Sequence, residues 1–243
     1  MKKSPYFNFR YDKALAHAQE ILIQDESPEA LFISSECYFH KKDYENAKIY
    51  IQKALKVKHD SKYLHLLGKI YMAEGKFEKA MEYLKESSLM NPLNLNRKIE
   101  IGNAYLKLGL IDDASETFSH VKELAPTDLN YINMGSAYLD IGDIKKAGEF
   151  IKQAVDPIPE TISVFNNYAI ELRKVGEFKE AINQYNKCLS IYPNHNIILY
   201  NLGKAYFEMG KYKDARTALK KSIVAKPLNE VKKLLSYVES KIV

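Results

Sequence analysis

The sequence predicts an all-α chain, a right-handed superhelical solenoid of stacked helix-turn-helix units with a C-terminal capping helix. Three observations carry that expectation. An alanine recurs at Ala14, Ala47, Ala80, Ala114, Ala147, Ala181 and Ala215, in steps of 33 or 34 residues. Two glycine series keep the same register: Gly68, Gly102, Gly135 and Gly203, then Gly75, Gly109, Gly142, Gly176 and Gly210. A proline closes five successive periods, at Pro92, Pro126, Pro159, Pro193 and Pro227. Nine of the ten glycines and five of the eight prolines fall on this lattice, so the period, not chance, places the helix punctuation.

From the N-terminus, residues 1–27 read as a half-repeat or cap. Tyr11, Ala14, Ala18, Ile21 and Leu22 follow the pattern of a second helix, and no first helix precedes them. Tyr6, Phe7, Phe9 and Tyr11 form an aromatic cluster that needs cover. Three readings stand: an irregular cap folded onto the first repeat, a junction with a further domain, or self-association through this segment.

Six repeats follow, over 28–60, 61–94, 95–127, 128–161, 162–195 and 196–229. The last shows the logic. Leu199, Leu202 and Tyr206 share a helical stripe, and Gly203 beside them admits a close neighbour. A mid-helix glycine costs about 1 kcal/mol relative to alanine, so it marks a crossing with no room for Cβ. Gly210 ends the first helix, and Tyr212, Ala215, Leu219 and Ile223 face inward on the second. Such a unit cannot bury its own apolar faces, so neighbours must stack into one solenoid rather than two compact domains. Departures are local. Ser35 and Ala169 fill first-glycine slots, and the first repeat has Ser34-Ser35 where Leu-Gly is expected. Leu172 stands in a tyrosine slot. Lys98 stands where the other repeats have Leu31, Leu64, Tyr131, Phe165 and Leu199, which predicts looser packing at that junction. Residues 230–243 then supply a capping helix, with Val231, Leu234, Leu235 and Val238 opposite Lys232, Lys233, Ser236 and Glu239.

The order Leu-Gly, Tyr, Gly, aromatic, Ala and Pro resembles the tetratricopeptide repeat, and the resemblance covers most of the chain. No repeat carries the family's early tryptophan. The resemblance implies a non-catalytic protein-interaction scaffold whose first helices line a concave groove. A narrower similarity lies in PLNLNRKIEIGNAYLKLG, Pro92 to Gly109, which resembles repeat regions that follow receiver domains in bacterial response regulators. It implies an oligomerisation or output module in signalling.

Composition excludes several function classes. Of 243 residues, 46% are apolar and 28% charged, which suits a folded globular chain. The net charge of +5 is spread without like-charge runs, and arginine is scarce, which argues against nucleic acid. A helical-repeat RNA binder is also disfavoured by the 33–34-residue period and by acidic residues in the groove. Cys37 and Cys188 form neither a disulfide framework nor a zinc spacing, and both fall in small-residue packing slots as core thiols. With no leader and no apolar run long enough for a membrane span, the expected location is cytoplasmic. The six histidines are scattered, with no HExxH spacing, phosphate loop or G-x-S-x-G. No enzyme, cofactor or metal is expected, and Asp112-Asp113 suit a helix N-terminus.

Helical spacing leaves a set of first-helix residues for a partner protein or peptide. In the first two repeats these are Phe32, Glu36, Phe39, His40, His65, Lys69 and Met72. The middle pair offers Ile99, Asn103, Leu106, Lys107, Ile132, Asn133, Ser136, Leu139 and Asp140. The last pair offers Asn166, Asn167, Ile170, Arg173, Lys174, Tyr200, Asn201, Lys204, Phe207 and Glu208. Asn133, Asn167 and Asn201 form a ladder suited to an extended backbone or to bonding the neighbouring helix. Alternating apolar anchors and charges suit a helix or extended segment. Chaperone-tail clamps of the family want Lys and Asn on one first helix, Asn on the next, and Lys and Arg on a third. Asn103 and Asn133 match, but Ile99, Ser163 and Asn167 do not, so no such tail is expected. Phe39, Arg173 and Phe207 are expected to matter for binding and little for stability.

Overall fold

Helix boundaries follow the punctuation of the sequence. The computed structural model describes residues 5–154 and 156–242, with side chains from residue 10. Among these residues there are fourteen α-helices and no strand. They gather into two units, before and after the boundary at Ala125 and Pro126.

The first unit holds α1 (Pro5–Gln24), α2 (Pro28–Lys41), α3 (Tyr44–Val57), α4 (Ser61–Ala73), α5 (Phe77–Met90), α6 (Leu95–Lys107) and α7 (Ile111–Leu124). Its core brings Leu31, Ala47, Ile51, Tyr63, Leu67, Ile70 and Ala80 together, with Phe32, Phe39 and Met72 packed against it. The second unit holds α8 (Asp128–Asp140), α9 (Ile144–Ile151), α10 (Ile162–Lys174), α11 (Phe178–Ile191), α12 (Asn196–Glu208), α13 (Tyr212–Ala225) and α14 (Asn229–Glu239). One of its clusters buries Ala215, Leu219, Val231 and Val238, so α14 seals the α12–α13 pair with its valine edge. At the other end, α1 is a continuous helix from Pro5, not an irregular segment. The side chains of Tyr6, Phe7 and Phe9 lie outside the described residues.

Within a pair, the second helix crosses the first at the small-residue slots. A Cβ at Gly68 would stand 2.7 Å from Leu84 Cγ, one at Gly135 2.6 Å from Ile151 Cγ1, and one at Gly203 2.7 Å from Leu219 Cγ. Phe118 blocks Gly102 in the same way. Each blocking residue lies sixteen positions downstream, on the second helix. The lattice alanines from Ala47 to Ala215 are fully buried at the same crossings. Ser35 shows why serine is accepted in the first pair: its hydroxyl donates to the Ala47 carbonyl at 2.8 Å, so the close approach becomes a hydrogen bond. A second such tie joins the far ends of pairs. Ser87 donates to the Ser61 carbonyl at 2.6 Å, Ser222 to the Asn196 carbonyl at 2.8 Å, and Cys188 more weakly to the Ile162 carbonyl at 3.8 Å. Cys188 is thus a packing thiol with a backbone partner, and burial pushes its pKa up to about 12.

Turns are set by conformation. Gly210 has φ +77 with open space where a Cβ would lie, so only its left-handed backbone selects glycine. In the first pair the same slot holds Lys42, at φ 66.

The fourth pair departs from the others. The other second helices run to the tenth residue past the lattice alanine, but α9 stops at Ile151. Pro157 occupies that tenth position after Ala147. It has no N–H for a helical bond and disfavours a helical residue before it, so the chain tightens into three-residue turns. Gln153 and Ala154 donate to Phe150 and Ile151 at 3.0 and 3.2 Å. Ala154 stays buried in its slot regardless. Thr161 shapes the exit, accepting from Ile158 N at 2.9 Å.

Gly148, the one glycine off the lattice, has its own reason. A Cβ there would run into the Tyr168 hydroxyl of α10. Gly148→Ala is therefore expected to destabilise by about 1–3 kcal/mol through overpacking. In a Tyr168→Phe background the same change should cost clearly less, since the hydroxyl is gone and only the ring Cζ, at 3.1 Å, still crowds the added methyl, while alanine favours helix by about 1 kcal/mol. Urea unfolding of the four-variant cycle measures this coupling.

Burial also raises the phenols of Tyr63, Tyr168 and Tyr185 to about 12. The folded state then holds these protons more tightly than the unfolded chain, whose tyrosines titrate near ~10. The resulting stability is complete below about pH 10 and is lost as pH rises toward about 12. Unfolding midpoints measured across that window should fall steeply.

Candidate protein-binding face

Polar side chains cap most first helices. Ser27, Asp60, Asn94 and Thr127 accept backbone N–H groups in the first turns of α2, α4, α6 and α8, and His195 does so for α12. These helices, with α10, which has no side-chain cap, carry the residues named above for a partner.

In the first unit, α2 and α4 bring most of them together. Phe32 packs on Tyr63 with ring centroids 5.3 Å apart, and Lys62 Nζ lies 5.5 Å from the Phe32 ring. Lys69 Nζ lies 5.6 Å from the Phe39 ring, and Phe39 also meets Tyr44. Tyr11 of α1 stacks on His40 at 4.5 Å, so α1 covers that end of the face. The Glu36 carboxyl is half-buried between these lysines. Desolvation raises its pKa while the charges of Lys69 and Lys62 pull it down, and the net shift is upward. His65 meets Glu100 of the next first helix at 2.5 Å. Met72, Asn103 and Lys107 remain half-exposed, although Asn103 Oδ1 is enclosed without a hydrogen-bond partner. Leu106 and Ile99 do not belong to the face: both are 3% exposed and pack inside.

In the second unit, Asn133, Ser136 and Leu139 are half-exposed and Asp140 is exposed, whereas Ile132 is buried. The asparagine ladder does not form as an open row. Asn201, 9% exposed, donates to Asn166 Oδ1 at 3.1 Å and so ties α12 to α10. Asn167 is exposed to one side, and Ile170 is half-buried.

Arg173 carries the largest correction. Its side chain is 12% exposed and paired with Glu208 of the next first helix. Burial works against the guanidinium charge, but the Glu208 carboxylate more than offsets it and holds the pKa above the ordinary value. The buried Tyr185 phenol lies beside it; burial raises that phenol and the Arg173 charge opposes the rise. Arg173 thus joins the structural framework, and its position beside Glu208, 35 residues away, has no local sequence signal. Phe207 is likewise engaged, against Tyr212 and Tyr237, and Phe39 packs on the first unit's core. Lys174, Tyr200 and Lys204 of the second unit also stay accessible, with Lys204 Nζ 5.6 Å from the Tyr200 ring.

The face thus offers aromatic and cationic side chains on rigid helices, with much of its charge already committed to cross-helix pairs. Among the described residues no group of three or more His, Cys, Asp or Glu could hold a metal ion, and no helix is long and apolar enough to cross a membrane.

Comparison with known proteins places this architecture. Tetratricopeptide-repeat family models match residues 160–223, residues 71–134, and residues 28–60 with 130–159. BBSome complex member BBS4 of Bos taurus is 28% identical over 198 residues, covering 79% of this chain and 37% of that protein. A TPR repeat-containing protein of Methanocaldococcus jannaschii is 25% identical over 240 residues, covering 96% of this chain and 35% of its own length. The chain thus spans little more than a third of these curated relatives. Among solved structures, the APC/C hetero-tetramer Cut9-Hcn1 aligns with a TM-score of 0.63 at 15% identity, over 94% of this chain and 46% of that one. Yeast Tom70 aligns with a TM-score of 0.59 at 17% identity, over 96% of this chain and 59% of that one.

Arg173→Ala should lower stability by about 2 kcal/mol, because it leaves a half-covered carboxylate and a buried phenol without their cation. Urea unfolding checks this, and a loss below about 0.5 kcal/mol would return Arg173 to the set of free surface residues.

Proposed function

Because this chain belongs to the tetratricopeptide-repeat family, we propose that it is a non-catalytic scaffold that holds a peptide or helix of a protein partner on its first-helix face. One observation carries the reading. The lattice residues are consumed by packing, while Phe32, Glu36, Lys69 and Met72 of the first unit stay partly accessible on neighbouring rigid helices. A lysine resting on an aromatic ring beside a half-buried carboxyl offers apolar contact and both signs of charge within one short stretch. Tyr200 with Lys204 repeats the aromatic–cation pairing in the second unit.

Self-association through the N-terminal aromatic segment is a subsidiary proposal, and sedimentation at varied concentration measures it. The narrower similarity of residues 92–109 to response-regulator repeat regions, and the RNA-binding reading, have no structural observation in their favour.

Photo-crosslinking in extracts of the source cell tests the main reading. A benzoyl-phenylalanine at Lys69 or Lys204, on first helices, should capture a partner. The same group at Gln52 or Asn183, exposed on second helices, should not. Capture from the second-helix positions alone would overturn the assignment of the face.

A further inference from the structure

On the second-helix side of the first unit, a crevice of about 550 Å³ opens between α5, α6 and α7. It has a counterpart 101 residues on, between α11, α12 and α13, of about 360 Å³. The two are lined by equivalent positions, so the crevice itself belongs to the architecture. Its size in the first unit does not. Leu199, 3% exposed, fills the floor of the smaller crevice, and Lys98 stands in its place in the larger one. Leu189 is likewise replaced by Ser88. Two apolar fillers are lost and the opening widens; both volumes lie within the range of specific binding sites, roughly 300–1,000 Å³, so its chemistry sets the larger crevice apart.

The chemistry of the larger crevice is uneven. Ile101 and Tyr105 give it an apolar floor, and Leu89 beside them is 80% exposed. The α5–α6 wall carries Lys85, whose Nζ lies 5.0 Å from the Tyr105 ring, and Lys98. The α7 wall carries Asp113 and Glu116. Lys98 is a half-buried residue whose amine makes no hydrogen bond or ion pair among the described residues, and no acid–base pair closes the crevice. An ammonium without an acceptor beside an apolar floor is open to an occupant that supplies one.

We propose that this crevice is a second docking site, for a partner segment in which a bulky apolar side chain is followed by a carboxylate. The apolar group lies on Ile101, Tyr105 and Leu89, and the carboxylate accepts from Lys98. The opposed charges of the two walls set the direction, since an acid turned toward α7 would meet Asp113 and Glu116. Leu89 extends the apolar surface past the crevice, which favours a chain segment over a small free anion.

Titration of the isotope-labelled chain with Ac-Phe-Asp-NH2 tests this by amide shifts. Saturable changes are expected around Lys98, Ile101, Tyr105 and Thr117. Ac-Phe-Asn-NH2 should bind at least about threefold more weakly, the size expected for one partly exposed ion pair. Lys98→Leu should weaken the Asp peptide similarly while raising the melting temperature, because it restores the filler found at Leu199. That thermal shift also shows the variant to be folded. Absence of saturable shifts at millimolar peptide, equal affinity for the two peptides, or undiminished binding by the leucine variant would overturn the proposal. So would tighter binding of 3-phenylpropionate than of the Asp peptide, which would assign the crevice to a small anion.

Discussion

A methyl group does not fit between the two helices of four of the pairs. The rest of the structure depends on that constraint. At Gly68, Gly102, Gly135 and Gly203 the opposing second helix presses a large side chain against the first helix backbone. At these four positions the approach excludes a Cβ; in the other two pairs the slot takes a small residue, Ala169 or Ser35, and the Ser35 hydroxyl turns the contact into a hydrogen bond. Close crossing leaves the flanking side chains interdigitated, and that fixes which positions face the neighbouring pair and which face solvent. The accessible residues of the first helices are what packing leaves over.

The fold was legible in the sequence because crossing contacts repeat and so write themselves as a period. At the four within-pair crossings a glycine and the residue that blocks it are sixteen apart, and a tyrosine or leucine series travels with them. The wide crevice was legible too, since Lys98 breaks a series of large apolar side chains. The face was less so. Helical spacing assigns a side chain to a sector of the helix, and Leu106 and Asn201 lie at the edge of that sector, where a small rotation turns accessible into buried. Pairings between first helices, such as Arg173 with Glu208 and His65 with Glu100, depend on how successive pairs stack, and no local pattern encodes that. The shortening of α9 had a signal in Pro157, which the closing proline two residues later obscures.

The two sides of a helix pair differ in how their charged side chains are used. On the first-helix side, charge is spent across neighbours, so the surface is stiff and few cations remain uncommitted. On the second-helix side of the first unit, a packing residue has been given up, and the half-buried Lys98 is left without a partner. Internal pairing favours a single ordered face, whereas a lysine in an apolar packing slot gives up filling volume and leaves its charge to solvent or to an occupant.

The crossing contacts also bear on how such a chain grows. Gly68 and Leu84, Gly102 and Phe118, Gly135 and Ile151, Gly203 and Leu219 each lie within one helix pair. A gene segment encoding one pair therefore carries both halves of its tightest contact, and it can be duplicated or moved without creating a clash. Gly148 and Tyr168 break that independence, because the space belongs to α9 and the hydroxyl that fills it belongs to α10. Those two pairs are coupled through one contact. Recombination that separated them would bring Tyr168 against whatever side chain another repeat carries in the glycine's place, and the array would be passed on more readily with the two pairs kept together.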